Sequence, residues 1–382
     1  MHSGSKSAKT SKEPMQNYLI IDAHQDIAWN MLTFGRDYTR SVGETRQLEQ
    51  GTSSPKHNGD TLLGWDAYQQ GHVAVIFSTL FASPQRWNEG EWDILCYQDI
   101  QQADQLYRAQ IDLYHRLVEE HPDKFTLIRT RGELNALLEI NTLPANGEPR
   151  DQPIGLVLLM ECADGVRHPT ELEEWWALGV RLIGPAWAGT RYCGGTKEPG
   201  PLTKEGYALL DVMADLGFCL DLSHMDEKAA LQALDHFPGN LMATHANAKA
   251  LLKGTESNRH LSDPVILSII ERQGVIGVVP YNNFLRVGWK RGHARQLVPL
   301  QIVADQIDYI CQLAGDARHA GIGSDFDGGF GLQSVPEGID TIADLQKLSS
   351  LLANKGYQST EIAAVMGGNW ANFLKRALPE TV

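Results

Sequence analysis

Eight short apolar runs, spread along the chain and separated by amphipathic stretches, constrain this sequence more than any other feature. They are Tyr18–Ala23, Val73–Leu80, Gly155–Met160, Val180–Gly184, Gly217–Leu222, Leu241–Thr244, Val275–Val279 and Gly321–Ser324. Each has the length and the Val, Ile and Leu content of a buried strand. Helical patterns lie between them at Trp92–Glu120, Thr170–Leu178, Thr203–Leu216, Asp226–Asp235, Asp263–Gln273 and Val298–Ala314, several opened by a capping Ser, Thr or Asp. Strands alternating with helices in this way build a parallel sheet, and eight of them predict a (β/α)8 TIM-type barrel.

The 382 residues exceed a minimal barrel of about 250. The surplus falls in Thr33–Gln70, read as a long loop after the first strand, and in Lys124–Pro153, read as a second helix and a connector. Extra C-terminal helices are expected at Ile339–Lys355 and Thr360–Leu378, with "GGNW" at Gly367–Trp370 marking a break. The first fourteen residues are polar and read as a disordered tail, leaving 15–382 as a single catalytic barrel.

A formal charge of −14 argues against nucleic acid or an anionic membrane as partner, because either would be approached against repulsion. No apolar run has the length of a bilayer span. The five cysteines are odd in number and form no C-x-x-C pair, so neither a disulfide framework nor a thiolate zinc site is indicated. The expectation is a cytoplasmic protein acting on a small-molecule substrate, with a homodimer left open.

Active sites of such barrels gather at the carboxyl ends of the strands, so the residues ending each run are the candidates. The first run ends "IIDAHQD", in His24 and Asp26, which are two apart and share one side of an extended chain. The third ends in Glu161, the fifth in Asp221 and His224, the sixth in His245, and the eighth in Asp325 and Asp327. Taken singly, each has a local explanation: Asp26 or His224 as a helix cap, Glu161 as the partner of an arginine. Taken together, three imidazoles with Asp26 and Glu161 exceed what one tetrahedral zinc takes. Two metal ions sharing Glu161 as a bridge use the set economically. Asp221, before its strand end, is expected to orient a ligand, and Asp327 to fix a turn. Arg259 follows strand six as a cation able to meet a substrate carboxylate. "GGTKEPG" at Gly194–Gly200 lacks the spacing of a phosphate-binding loop and reads as a mobile loop over the site.

The stretches "IDAHQDIAWN", "LGFCLDLSHMDEKAALQAL", "LMATHANAKAL", "NRHLSDPVI" and "AGIGSDFDGGFG" resemble the membrane (renal) dipeptidases, zinc metallopeptidases of the amidohydrolase-like group of barrels. The resemblance implies a binuclear zinc site with His24 and Asp26 on one ion, His224 and His245 on the other, and Glu161 bridging. It implies Asp325 as proton shuttle and Arg259 as the holder of the substrate's C-terminal carboxylate. That family places a histidine after strand four to help polarise the scissile carbonyl. Here "LIGPAWAGTRYCGGT" sets Trp187 in that place, as a substrate-facing residue whose indole donates one hydrogen bond and carries no charge. The expected activity is hydrolysis of small amides, dipeptides first, by a hydroxide held between two metals. The alternatives are a binuclear hydrolase of a lactone, cyclic amide or ester, and a metal-binding protein whose site has degenerated.

Overall fold

A computed structural model describes residues 17–141 and 151–381. All eight runs form strands: β1 (Ile20–Gln25), β2 (Val73–Leu80), β3 (Ile154–Met160), β4 (Val180–Ile183), β5 (Cys219–Asp221), β6 (Leu241–Met242), β7 (Ile276–Val278) and β8 (Ala320–Ile322). They pair in parallel in the order β7-β8-β1-β2-β3-β4-β5-β6. A parallel bridge between Ala243 and Ile276 joins β6 to β7 and completes the ring. The architecture is the (β/α)8 barrel that the alternation predicts.

Side-chain alternation sorts the strand residues into two layers. Ile21, Ala23, Val75, Phe77, Val157 and Leu159 fill the barrel interior. Ile20, Ile76, Leu156 and Leu158 pack in the layer shared with the helices. One end of the interior is closed by Trp370, Phe373 and Leu374 of the helix Asn369–Ala377, with the Trp370 indole donating to the Ile322 carbonyl at 3.0 Å. The break expected at "GGNW" is absent. Helical residues Ser359–Ala363 run through a π turn at Ala364–Gly368 directly into Asn369–Ala377. The glycine there serves close packing: a Cβ on Gly367 would lie 2.6 Å from the Leu19 carbonyl oxygen.

Two further expectations are corrected, and the second helix expected within Lys124–Pro153 is found. Thr33–Gln70 is not a loop but carries helices Val42–Leu48, Ser54–His57 and Trp65–Gln70, the first opened by a reciprocal cap between Ser41 and Glu44. The helix expected from Trp92 begins only at Ile100, where the Asp99 carboxylate accepts from the Gln101 and Gln102 amides. The residues before it are extended, and Cys96–Tyr97 pairs with Ser83–Pro84. After Glu120, a short strand Phe125–Leu127 adds to β3 outside the barrel, followed by the helix Arg131–Ile140. The remainder of that connector, 142–150, and the tail expected at 1–14 lie outside the described residues. Among the described residues no helix is long and apolar enough to cross a membrane.

Candidate metal centre and active site

The strand-end side chains meet at one mouth. His24 is fully buried, with its Nε2 3.7 Å from Glu161 Oε1, 3.9 Å from Asp26 Oδ1 and 3.9 Å from Asp325 Oδ1. The same Glu161 oxygen lies 3.3 Å from His224 Nε2 and 3.6 Å from His245 Nε2. Ile21 and Ala23 belong to the interior, so uninterrupted alternation would carry His24 outward. The register shift between Asp22 and Gln25 breaks the alternation and turns His24 to the mouth beside Asp26. Asp26 occupies the N-cap position of helix Ile27–Phe34, yet its side chain makes no cap bond. It accepts instead from the Thr79 hydroxyl. His224 is likewise no cap, since Asp226 caps the helix that follows.

A ring of hydroxyls and buried carboxylates fixes these ligand-type residues. The Thr244 hydroxyl donates to Asp221 Oδ2 at 2.5 Å and lies 2.9 Å from His245 Nδ1. Having spent its proton on Asp221, it accepts the Nδ1 proton, which leaves the His245 Nε2 lone pair facing the mouth. Thr196 plays the corresponding part for His224, 3.0 Å from its Nδ1 while donating to the His224 carbonyl at 3.4 Å. Asp22, buried beneath the mouth, accepts from the Ser324 amide at 2.6 Å and the Ser324 hydroxyl at 2.5 Å, next to Asp325. His224, Asp325 and Asp327 have φ of 65°, 57° and 63°. Left-handed backbone is rare without glycine and here clusters at the site, where it aims the side chains.

This environment fits metal ions. His224 Nε2 and His245 Nε2 stand 2.9 Å apart, and both carry lone pairs by the hydrogen bonding just given. Two lone pairs at that separation repel unless a cation receives them. Neither ring nitrogen of His24 has a hydrogen-bond partner, although both are buried. Burial, and next to it the Arg259 charge, pushes the His24 and His224 imidazoles well below their usual range. His245 is pushed down by burial and by His24. All three are thereby held in the neutral, ligating form. Burial and then Asp26 push the Glu161 and Asp325 carboxyls well up, and burial raises Asp26 to about 6. Crowded buried carboxylates among neutral imidazoles lack the positive charge that metal ions supply. The donors form three overlapping groups: His24 with Asp26 and Glu161; Glu161 with His224 and His245; His24 with His245 and Asp325.

A cavity of about 610 Å³ opens over this floor and brings Asp26, Glu161, His224, Asp325, Arg259 and Trp187 to one surface. Arg259 is 3% exposed. Its Nη2 donates to the His245 carbonyl at 2.6 Å, while Nε and Nη1 are buried without partners. Trp187 is half-buried and sets its edge on Phe81, ring centroids 5.2 Å apart. Asp327 does more than fix a turn. It is fully buried and accepts from Tyr38, Thr61 and the Leu62 amide, beside the Arg36 guanidinium at 2.9 Å, which ties the segment after β1 to the end of β8. The "GGTKEPG" loop is stitched down rather than mobile, by the bridges Gly189–Gly194, Cys193–Leu202 and Gly195–Met225, and its Thr196 is the support of His224. Sequence reasoning passed over Thr79, Thr196 and Thr244, and also Tyr281. The strand-end rule reaches Thr79 and Tyr281, which end β2 and follow β7.

The barrel and its donor set define a metal-dependent hydrolase. The membrane dipeptidase family, peptidase family M19, matches residues 9–378. The chain belongs to that family and is a metallo-dipeptidase. An uncharacterized protein in the pqqA 5′ region of Klebsiella pneumoniae is 32% identical over 235 residues, 59% of this chain and 83% of its own length. An uncharacterized dipeptidase of Schizosaccharomyces pombe is 27% identical over 315 residues, 79% of this chain and 69% of its own. The crystal structure of a Rhodobacter sphaeroides metallopeptidase, liganded with a phosphinate mimic of the dipeptide L-Ala-D-Ala, shares the fold with a TM-score of 0.75 at 23% identity, covering 95% of this chain and 100% of that one.

Proposed function

We propose that the enzyme is a binuclear zinc dipeptidase in which His24 and Asp26 hold one ion, His224 and His245 the other, and Glu161 serves both. The observation that carries this reading is Glu161 Oε1 within 3.7 Å of the Nε2 atoms of all three histidines. Imidazole and carboxylate donors suit zinc. When bound, such a pair supplies Lewis acidity that makes water a nucleophile at neutral pH and polarises a carbonyl.

The chain's own residues then bind and move protons. Arg259 receives the C-terminal carboxylate of the dipeptide, which satisfies the two buried donors it otherwise leaves unpaired. This favours a dipeptide over a lactone or cyclic amide, neither of which brings a carboxylate to Arg259. Asp325 takes a proton from the attacking water and returns it to the leaving amine, as an acid-base group in reach of the same floor. A degenerate metal-binding site has no use for that carboxylate. Trp187 forms an apolar wall beside His224, their ring centroids 6.3 Å apart. Five unpaired cysteines support a reducing, cytoplasmic setting.

The test is Asp325→Asn, which preserves shape and the tolerance of left-handed backbone while removing the base. Turnover of the best dipeptide should fall by about 10²–10⁴ with the metal content unchanged. Near-full turnover would refute the assignment of Asp325.

A further inference from the structure

Two separate runs of aromatic side chains line the cavity, and they start from different parts of the site. One starts at His224 with Trp187 and continues through Phe81, whose ring is 6.5 Å from Trp29, to Trp92, 6.3 Å beyond Trp29. Trp29 belongs to the helix that begins directly after Asp26. The other starts at Arg259, whose guanidinium lies 5.2 Å from the Phe284 ring, and continues through Tyr281 to Phe330, stacked at 4.2 Å.

A dipeptide bound as above is oriented by two contacts. Its carboxylate lies on Arg259 and its scissile carbonyl over the donors Asp26, Glu161 and Asp325. The C-terminal residue therefore occupies the Arg259 arc, and only the first residue remains to reach the other. Trp187, Phe81 and Trp92 are half-buried and line the cavity, Trp92 while stacked on His57 at 4.6 Å and on Phe34 at 5.7 Å. Their contacts within the arc are edge-on, a packing that an added aromatic ring can continue. Lys197, a cation lining the cavity, sits over the Trp87 ring at 5.1 Å. We infer that Trp187, Phe81, Trp29 and Trp92 form the pocket for the amino-terminal side chain, and that the enzyme selects dipeptides whose first residue is aromatic or otherwise large and apolar. This rests on the dipeptidase reading.

The experiment compares kcat/KM for Gly-Ala, Leu-Ala, Phe-Ala, Trp-Ala and Glu-Ala on the metal-loaded enzyme, then repeats it with Trp187→Ala and Trp92→Ala. Phe-Ala should exceed Gly-Ala by about 10- to 100-fold, the gain from burying one aromatic side chain, and Glu-Ala should rank below both. Either substitution should lower the Phe-Ala to Gly-Ala ratio by about 5-fold or more. Gly-Ala or Glu-Ala as the best substrate, or an unchanged ratio in both variants, would overturn the pocket while leaving the dipeptidase standing. Cleavage of none of the five would overturn both.

Discussion

Replacing Asp327 by asparagine should weaken the fold, whereas the same change two residues earlier, at Asp325, should weaken catalysis. Asp327 is fully buried, and three groups converge on its Oδ2: Arg36 at 2.9 Å, Tyr38 at 3.1 Å and Thr61 at 2.5 Å. The Leu62 amide donates to Oδ1 at 2.9 Å. An asparagine keeps the size and tolerates the left-handed backbone, but whichever way its amide is turned, an NH2 faces groups that need an acceptor. Arg36 retains Glu49 at 2.8 Å, so its charge is not stranded. The loss belongs near the lower end for a broken buried pair, about 3–4 kcal/mol. Unfolding entropy scales with length, and 382 residues give about 0.8 kcal/mol/K. The midpoint of thermal unfolding should therefore drop by about 4–5 °C, read by calorimetry on metal-loaded protein. A shift under about 1 °C would show that Asp327 does not anchor the segment after β1. A kcat loss as deep as that of Asp325→Asn would show that the two aspartates have not divided the work.

The protein purified without chelator should carry about two zinc equivalents per chain by elemental analysis, and Glu161→Ala should lower occupancy of both sites. Full occupancy in that variant would exclude a shared carboxylate. Arg259→Ala should raise KM for a dipeptide by about 10- to 100-fold through loss of a charged hydrogen bond, and act far less on the corresponding C-terminal amide. Equal losses on the two substrates would make Arg259 a purely structural residue.

The barrel was legible because buried strands cannot hide their composition: Val73–Leu80 reads as a strand and is one, end to end. The cluster of ligand-type residues was legible because charge at the end of such a run has to be compensated. What escaped reading was local. The helix Val42–Leu48 lies in polar sequence, and its signal was the Ser41-x-x-Glu44 cap. Asp99 marked the true start of the helix first placed at Trp92, and the aromatic residues before it are held by the cavity rather than by helical periodicity. Gly367 reads as a helix breaker, yet its missing side chain is demanded by the neighbouring β1 backbone, a tertiary fact. The hydroxyls that set the imidazole tautomers, Thr196 and Thr244, have no periodicity and no charge, and only the folded geometry reveals them.

The pairing of Asp22 with Ile322 carries a consequence for how the molecule assembles. The first barrel strand in the chain closes against the last, so this ladder waits on the most distant contact in the sheet, the kind that slows folding. His24 and Asp26 come from the first strand and Asp325 from the end of the last, with Ser324 bound to Asp22 across the seam. Asp325 follows directly on that seam, so its place beside His24 depends on the ring being shut. The mouth draws its side chains from both ends of the chain, and it is whole only where the first strand and the last are joined.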